Sequence, residues 1–581
     1  MFNKILIANR GEIAVRVLRT AREMGLRSVA VYSERDRDAL HVQMADEAFL
    51  LGDSAPAASY LNVERIIRVA QQSGTQAVHP GYGFLAENAA FARAVIEAGL
   101  VWIGPHPKAI EIMGDKVRAR SAMLEAGVPV VPGGTTALAN LSAAREAARS
   151  FGFPLALKAS GGGGGKGLKI ARTVDELEAA FTTARREAQA YFQNPAVYAE
   201  RYLENPKHIE LQILADKHGN VVHLGERDCS LQRRHQKVWE EAPARIEPAV
   251  RHKLQDAGLK AAQAIEYDSV GTIECLVYGD DFYFLEMNTR IQVEHTVTEM
   301  ITGIDLVREQ IRVAAGEALG YTQDGVRFFG HAIEGRINAE DPALDFRPSP
   351  GVLSAYREPG GPGVRIDSAA SVGFSVAADY DSMIAKLIVW GPTRVLALSR
   401  MRRCIDEYVI EGVPTTLPLL RQLSSDQAVV DDRYGTATLE EFASQRFSAK
   451  NLHHDAVVPS AAAKSPQQVI RVEVNDKLFR VRLLDAPGSP PDTAGKAPRP
   501  ASMGKTRARV AGNTIPAPMH GIVVALECHQ GSAVKEGQVV AVIEAMKMMN
   551  EVHAHKAGTV AAVHVAAGDT VEALSPLVTL T

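Results

Sequence analysis

Short apolar runs alternate with longer amphipathic patterns along roughly the first 446 residues of the chain. KILIAN, residues 4 to 9, predicts a strand, and the next segment predicts a helix because apolar residues recur at positions 13, 14, 17, 18, 21 and 24. RSVAVYS, residues 27 to 33, predicts the next strand. This alternation indicates α/β architecture. The opening is Rossmann-like, although a turn with the single glycine Gly11 does not by itself indicate a nucleotide.

Beyond residue 446 the pattern changes. IRVEVNDKLFRVRLL, residues 470 to 484, predicts a small β hairpin that turns at Asn475 and Asp476. Residues 485 to 514 contain five prolines with scattered glycine, alanine and serine, which is typical of a linker. The residues from about 515 onward therefore form a separate C-terminal module.

The C-terminal module contains an internal repeat with a displacement of 37 positions. The repeated positions are Gly521, Val523, Gly531 and Val534, which recur as Gly558, Val560, Gly568 and Val571. Two copies of a strand-turn-strand unit predict a pseudo-symmetric β sandwich. Lys547, in EAMKMMN, lies between the copies at a predicted turn, where it is displayed for modification. A plain solvated lysine above buried methionines is the alternative.

Composition excludes several function classes. The net charge of −4 gives no basic field for nucleic acid or an anionic membrane. The chain contains no apolar run near the roughly 18 residues that span a bilayer, and its first residues lack a signal-peptide pattern. The cysteines have no metal-ligand or disulfide-framework spacing; they are Cys229, Cys275, Cys404 and Cys528. We expect a cytoplasmic protein.

A glycine run follows a predicted strand in FPLALKASGGGGGKG, residues 153 to 167. The strand delivers Lys158, and the glycines that follow leave backbone N–H groups free to approach phosphate. The spacing differs from the P-loop, which needs Gly-Lys-Ser/Thr at the start of a helix. The segment predicts a phosphate-binding cover, with a simple linker as the alternative.

Carboxylates concentrate in FLEMNTRIQVEH, residues 284 to 295. As one extended strand this segment would have a polar face of Glu286, Asn288, Arg290, Gln292 and Glu294, and an opposite face of Met287, Thr289, Ile291 and Val293. Glu274, in GTIECL, precedes it by the length of a hairpin that turns at GDD. Glutamates on adjacent strands suit Mg²⁺, which prefers oxygen ligands and substrate phosphates. A solvated edge strand is the alternative.

These motifs resemble known families. Ala545-Met546-Lys547-Met548, preceded by APM and a glycine at residues 517 to 521, is similar to the target of biotinyl carrier domains; Met546 favours biotin over lipoate. GTIECL and FLEMNTRIQVEH resemble the biotin carboxylases of the ATP-grasp superfamily, together with ANRGEIAVR, HPGYGFLAEN, MGDK, ERDCSLQRRHQK, GRINAEDP and YDSMIAKL. Carbamoyl-phosphate synthase shares the glycine loop and metal glutamates but gives no reason for a tethered biotinyl domain.

The resemblance implies an α/β ATP-grasp biotin carboxylase followed by an all-β flattened-barrel biotinyl domain. We expect a Rossmann-like N-terminal domain at 1–112, an ATP-grasp domain at 113–330 with a mobile lid at about 130–203, and a mixed α+β C-terminal domain at 331–446. A hairpin and linker at 447–514 and the carrier at 515–581 follow.

The resemblance also implies roles for individual residues. Those expected around ATP are Lys116 and Lys158 at the phosphates, the loop glycines Gly163, Gly164 and Gly165, Glu200 and Leu203 at adenine, and His208, Gln232 and His235 at the ribose and phosphates. Glu274 and Glu286, with Asn288 close by, are expected to hold Mg²⁺ or Mn²⁺. Bicarbonate is expected at Arg290, Gln292, Val293 and Lys237. Glu294 is the expected general base, and Arg336 is expected to stabilise the biotin enolate.

The implied activity is ATP- and bicarbonate-dependent carboxylation of biotin on Lys547, through carboxyphosphate. No carboxyltransferase-like segment is present, so we expect an α subunit that works with a separate carboxyltransferase β subunit and is biotinylated by a biotin protein ligase. The region from 447 to 514 is shorter than the docking domain of the larger propionyl- or methylcrotonyl-CoA carboxylase α subunits, so the resemblance favours a compact acetyl-/propionyl-CoA type. Arg19, Glu23 and Arg365 match a family dimer contact, in which Pro362 replaces a position that is often aromatic. A non-catalytic carrier or scaffold is the alternative of a different class.

Overall fold

The computed structural model describes residues 2 to 447 except 135, 160–167, 193 and 235, the strands 469–474 and 477–482, and residues 513 to 581 except 520, 546–547 and 573. The glycine loop 163–165, His235, Lys547, the hairpin turn 475–476 and nearly all of the predicted linker therefore lie outside the described residues.

The chain opens with a five-stranded parallel sheet in the order β3-β2-β1-β4-β5. Its elements are β1 Lys4–Ile7, α1 Gly11–Glu23, β2 Arg27–Ser33, α2 Leu40–Met44, β3 Glu47–Gly52, α3 Val63–Gln72, β4 Ala77–His79, α4 Ala89–Glu97, β5 Val101–Trp102 and α5 Pro107–Gly114. Gly11 has a φ of 64°, a left-handed conformation that glycine adopts without steric cost and that lets α1 start directly after β1. The predicted first strand, helix and second strand are confirmed.

A small antiparallel sheet in the order β7-β6-β8 follows. Its region contains α6 Lys116–Glu125, α7 Leu141–Phe151, β6 Leu155–Ala159, β7 Leu168–Ala171, α8 Leu177–Phe192 and β8 Val197–Arg201. Two helices of this region, α7 and α8, contribute buried alanines and aliphatic residues to a core beneath the sheet. The strand that delivers Lys158 is confirmed as β6.

The largest element is an eight-stranded antiparallel sheet in the order β13-β12-β9-β10-β11-β14-β21-β19. This part of the chain comprises β9 Lys207–Ala215, β10 Val221–Arg233, β11 Gln236–Ala242, α9 Pro248–Ala264, β12 Val270–Tyr278, β13 Asp281–Asn288, α10 His295–Thr302, α11 Leu306–Ala314, β14 His331–Asn338, β15 Glu340–Asp341, β16 Arg347–Pro348, β17 Gly351–Val352, β18 Ala355–Arg357, β19 Val364–Ser368, β20 Ser375–Val376, β21 Met383–Gly391, α12 Arg394–Glu407, β22 Val409–Glu411, α13 Leu417–Leu423, α14 Gln427–Val430 and α15 Thr438–Arg446. One apolar core lies at the β9-β12-β13 end, and another lies at the β14-β21 end.

The prediction of one extended strand through residue 294 is wrong. β13 ends at Asn288, and residues 289 to 294 form a turn that leads into α10. The Thr289 amide donates to a Glu87 carboxylate oxygen at 3.2 Å, so the sheet ladder does not continue there. Alternating polarity does not distinguish such a turn from a strand.

The C-terminal module consists of two four-stranded sheets in the orders β25-β32-β30-β27 and β29-β28-β26-β31. Its strands, together with the preceding hairpin, are β23 Val469–Val474, β24 Lys477–Arg482, β25 Thr514–Pro516, β26 Gly521–Leu526, β27 Ala533–Val534, β28 Val539–Ala545, β29 Met548–His553, β30 Gly558–Val563, β31 Thr570–Val571 and β32 Pro576–Leu580. The repeat is confirmed, because β26 and β30 occupy equivalent places in the two sheets and Gly531 and Gly568 share a positive φ. The hairpin prediction is also confirmed.

Within the described residues, no helix has both the length and the apolar character needed to cross a lipid bilayer.

Candidate active site

A cavity of about 670 Å³ lies between the eight-stranded sheet and the three-stranded sheet. Every described residue predicted for the site lines it: Lys116, Lys158, Glu200, Leu203, His208, Gln232, Lys237, Glu274, Glu286, Asn288, Arg290, Gln292, Val293, Glu294 and Arg336. Val293 lies on the cavity side and not on an opposite apolar face, because the backbone turns after β13.

The glutamates of adjacent strands meet as predicted. Glu274 and Glu286 are direct partners in the antiparallel register of β12 and β13. Glu274 Oε1 accepts hydrogen bonds from Lys237 Nζ at 2.9 Å, from Asn288 Nδ2 at 2.7 Å and from Gln292 Nε2 at 2.7 Å. The turn residues therefore converge on the carboxylate that the strand register supplies.

The donor set fits a divalent cation with oxygen ligands. Burial raises the pKa of Glu286, and the adjacent Glu274 raises it further. A cation held between the buried Glu274 and the half-buried Glu286 would relieve this repulsion. Burial also acts to raise the pKa of Glu274, but Lys237 and His208 outweigh it and the pKa is lowered. Glu274 is therefore ready to act as a charged ligand.

His208 and Glu210 form a second cluster with Glu274, whose possible ligand atoms lie within 4.8 Å of one another. His208 Nε2 lies 3.0 Å from Glu274 Oε2. Burial acts to lower the pKa of His208, but Glu274 and Glu210 raise it to about 9. An imidazolium cannot bind a metal and instead suits an anion, in agreement with the predicted place of His208 beside phosphate.

Lys237 joins the glutamates of the site. Its Nζ donates to Glu294 Oε1 at 2.7 Å, to Glu274 and, in a short contact, to Glu210. Glu210 and its partner Arg227 are fully buried, and sequence reasoning missed both. The signal was the alternation of His208, Glu210 and Gln212 in β9, which predicts one polar face on a strand that is otherwise apolar.

Glu294 is held from two sides. Arg336 Nη2 donates to Glu294 Oε2 at 2.9 Å, and Arg336 Nε donates to the buried Glu240, also missed from the sequence, at 2.6 Å. Burial acts to raise the pKa of Glu294, but the charges of Lys237, Arg336 and Arg227 together outweigh it and the pKa is lowered. Glu294 is therefore a carboxylate at neutral pH and can accept a proton.

Arg290 is fixed by a residue outside the carboxylate strands. Its Nε donates to Glu87 at 3.0 Å, and its Nη2 donates to Asn288 Oδ1 at 2.8 Å. Glu87 belongs to the HPGYGFLAEN stretch that carried part of the family resemblance, but no role had been predicted for it. Arg290 thus lines the same cavity as Glu274, Glu286 and Glu294.

The end of the cavity formed by α6 and the three-stranded sheet carries Lys116, Lys158 and Glu200, and Lys116 also lies near Glu286 of β13. Glu200 Oε2 accepts from Lys158 Nζ at 2.5 Å, and Glu200 Oε1 accepts from Arg120 Nη1 at 3.2 Å. Lys116 is exposed. This end offers ammonium groups, which suit phosphate oxygens, and Leu203 adds a buried apolar surface.

The chain matches family models along most of its length. The N-terminal domain of biotin carboxylase matches residues 1–110, an ATP-binding domain described for the carbamoyl-phosphate synthase L chain matches 115–322, and the biotin carboxylase C-terminal domain matches 334–441. A domain described as biotin-requiring enzyme matches residues 513–580.

Two individual proteins that are similar to this chain support the same family. Biotin carboxylase 1 of Bacillus subtilis is 52% identical over 445 residues, covering 76% of this chain and 99% of its own. The acyl-coenzyme A carboxylase alpha3 subunit of Mycobacterium leprae is 45% identical over 576 residues, covering 97% of this chain and 96% of its own.

Among solved structures, the biotin carboxylase domain dimer of Hydrogenobacter thermophilus 2-oxoglutarate carboxylase, in complex with MgADP, ADP and bicarbonate, superposes with a TM-score of 0.73. It is 50% identical and covers 77% of this chain and 98% of its own. With the α/β carboxylase fold, the convergent carboxylates and the repeated β module, these matches establish that the chain belongs to the biotin carboxylase family and carries a C-terminal biotinyl domain.

Proposed function

We propose that this protein carboxylates a biotin attached to Lys547, using ATP and bicarbonate, and thereby supplies a separate carboxyltransferase subunit. The observation that carries the proposal is the placement of Glu294. Its carboxylate is held by Lys237 and Arg336, and the pair Glu274 and Glu286 lies in the same cavity. A proton acceptor, a proposed cation site and anion-binding side chains therefore share one cavity.

Each group of cavity residues has its own role in the proposed reaction. Lys116 and Lys158 bind the ATP phosphates, with Glu200 and Leu203 near the adenine and His208 and Gln232 near the ribose and phosphates. Arg290, Gln292, Val293 and Lys237 bind bicarbonate. Glu294 removes the bicarbonate proton, so that the bicarbonate oxygen attacks the γ-phosphorus; the bond from the γ-phosphorus to the β–γ bridging oxygen breaks, ADP leaves, and carboxyphosphate forms. Arg336 stabilises negative charge on the biotin ureido oxygen by its fixed position.

The metal belongs at Glu274 and Glu286, with Asn288 beside them. Mg²⁺ or Mn²⁺ bound there neutralises charge on the β- and γ-phosphates during transfer. The domain division predicted above, with a carboxylase part to about residue 446 and the carrier from about 515, assigns all of these groups to the carboxylase part. His235, Gly163, Gly164 and Gly165 complete the proposed nucleotide site.

The acceptor proposed for the second half-reaction is acetyl-CoA or propionyl-CoA. The support is the Mycobacterium leprae acyl-coenzyme A carboxylase subunit, whose match runs through the carrier module as well as the carboxylase part. A 2-oxo acid is the second candidate, because the matched Hydrogenobacter structure belongs to a 2-oxoglutarate carboxylase. Dimerisation through Arg19, Glu23 and Arg365 and modification by a biotin protein ligase belong to the same proposal. Arg365 is already bound to Glu299 and Asp367 within the chain.

The decisive experiment measures ATP hydrolysis by the purified full-length chain with and without bicarbonate. Stimulation by bicarbonate is expected, and its absence in a biotinylated, folded chain would favour the carrier-only alternative. Transfer of radiolabelled bicarbonate is then measured with candidate carboxyltransferase subunits, each offered acetyl-CoA, propionyl-CoA, methylcrotonyl-CoA and 2-oxoglutarate. Label in the 2-oxo acid alone would replace the acyl-CoA assignment.

A further inference from the structure

Lys386 lies in the middle of β21, within the apolar sequence MIAKLIVWG, and is fully buried. A lysine is almost never fully buried unless its charge is paired. Its Nζ lies 3.2 Å from Glu12 Oε1 and 3.6 Å from Asp367 Oδ2, and it donates a hydrogen bond to the Val293 carbonyl oxygen at 3.0 Å. The ammonium group thus connects α1, β19 and the turn that precedes α10.

The strand register makes this position unfavourable for a cation. Lys386 is the direct cross-strand partner of Arg336 on β14, and like charges in that arrangement repel. On its other side Lys386 pairs with Asp367 of β19. Burial acts to lower the pKa of Lys386, but Glu12 and Asp367 outweigh it and the pKa is raised. The Lys386 side chain therefore stays protonated and donates a hydrogen bond to the Val293 carbonyl oxygen.

Val293 is the backbone neighbour of two proposed bicarbonate-site residues. Gln292 is held through its side chain by Arg227 at 2.5 Å, and Glu294 is held by Lys237 and Arg336. Those contacts fix the ends of the side chains. Among the described residues, two side chains contact the backbone between them: the His295 ring, whose Nδ1 lies 2.8 Å from the Gln292 carbonyl oxygen, and Lys386, which donates to the Val293 carbonyl oxygen. Lys386 does not line the cavity; its side chain reaches the site through this carbonyl, and its backbone pairs with that of Arg336 on β14.

We propose that Lys386 is a positioning residue for bicarbonate activation: by holding the Val293 carbonyl, it fixes the backbone from which Gln292 and Glu294 project into the cavity. This inference rests on the proposed function, because it assigns Glu294 to the bicarbonate proton. The metal glutamates project from β12 and β13, whose register does not involve this turn. Loss of the contact is therefore expected to shift Glu294 and Gln292 while the register that carries Glu274 and Glu286 is kept, although Gln292 also donates to Glu274.

The test is Lys386→Met in the full-length biotinylated chain. A misplacement of about 1 Å in a reacting group costs roughly 10²-fold in rate, and we expect a loss of that order in kcat/KM for bicarbonate. The dissociation constant of MgADP is expected to stay within a few-fold of wild type. Arg394→Met is the matched control, since Arg394 pairs with the buried Glu241 through contacts at 2.6 Å and 2.8 Å outside the cavity.

Arg394→Met should lower the thermal midpoint while the rate per folded molecule stays near wild type. If Lys386→Met does not fold, the double variant Lys386→Met/Glu12→Gln removes one buried cation and one buried anion together. It still lacks the donor to Val293, so the same selective loss is expected. A bicarbonate-dependent rate near wild type in either Lys386 variant, or an equal loss of rate and nucleotide affinity, would overturn the inference. A wild-type chain without bicarbonate-dependent ATPase would instead contradict the proposed function.

Discussion

The two ends of the cavity are built differently. At the carboxylate end, on the eight-stranded sheet, Lys237, Glu274 and Glu294 are buried or nearly buried and are bound to one another. At the lysine end, on α6 and the three-stranded sheet, Lys116 is exposed, and the Lys158 side chain is 31% exposed with Glu200 as its partner. The groups proposed to carry the chemistry are thus held in place by one another, whereas the lysines proposed to bind phosphate meet solvent.

This difference in burial predicts which property a substitution at each end changes. Low dielectric strengthens interactions among the buried groups and makes each orientation costly to change. Exposed ion pairs contribute little to stability because water screens them. We therefore expect changes at the carboxylate end to reduce turnover or metal binding, and changes at the lysine end to reduce nucleotide affinity.

The largest effect is expected from Lys547→Arg, which removes the proposed attachment point of biotin and leaves both ends of the cavity unchanged. Arginine keeps the charge but cannot form the biotinyl amide, so intact mass should show no biotin increment and transfer to the carrier should be absent. Bicarbonate-dependent ATPase with free biotin should persist. Lys535→Arg, at an exposed lysine of the same module, is the control and should remain biotinylated. A biotin increment in the Lys547 variant would refute the assignment of the carrier lysine.

The next effect is expected from Glu294→Gln at the carboxylate end. Glutamine keeps the size of the side chain but removes the base, and a positioned general base contributes about 10²–10⁴-fold. Bicarbonate-dependent ATPase should fall by that order while MgADP affinity changes little. Glu241→Gln, a buried glutamate that does not line the cavity, controls for lost buried charge. A variant with normal turnover would require another base.

Glu286→Gln should weaken metal-nucleotide binding itself. Loss of a hydrogen-bond partner of a metal ligand costs roughly 10–100-fold in metal affinity, and loss of a ligand charge should cost at least as much. Mg²⁺ titration of nucleotide binding by calorimetry measures the effect, with Asp281→Asn at the exposed start of the same strand as control. Equal nucleotide affinity in the Glu286 variant and the control would remove Glu286 from the metal site.

Part of the arrangement of the carboxylate end could be predicted from the sequence. Glu274 and Glu286 could be paired because a hairpin with a short turn fixes its own register, and the prediction holds in the structure. Glu210, Arg227 and Glu240 were missed because a charged residue within a strand shows its partners only when distant strands become neighbours. The wrong extension of β13 has the same origin, since the contact that ends the strand comes from Glu87, far away in the sequence.

The smallest of these effects is expected from Lys158→Met at the lysine end. A hydrogen bond to a charged group contributes about 1.5–3 kcal/mol when well formed, and solvent exposure places this one at the lower limit, so nucleotide affinity should fall roughly tenfold. Glu200 keeps its contact with Arg120 at 3.2 Å, so the fold of the small sheet should persist. Lys169→Met is the matched control, because Lys169 lies on the adjacent strand β7, has a 35% exposed side chain and does not line the cavity. Binding of a fluorescent ATP analogue, compared with the bicarbonate dependence of turnover at saturating ATP, separates affinity from chemistry. If Lys158→Met instead lowered turnover at saturating ATP as strongly as Glu294→Gln, Lys158 would act on the transferring phosphate, and the two ends of the cavity would share the chemistry.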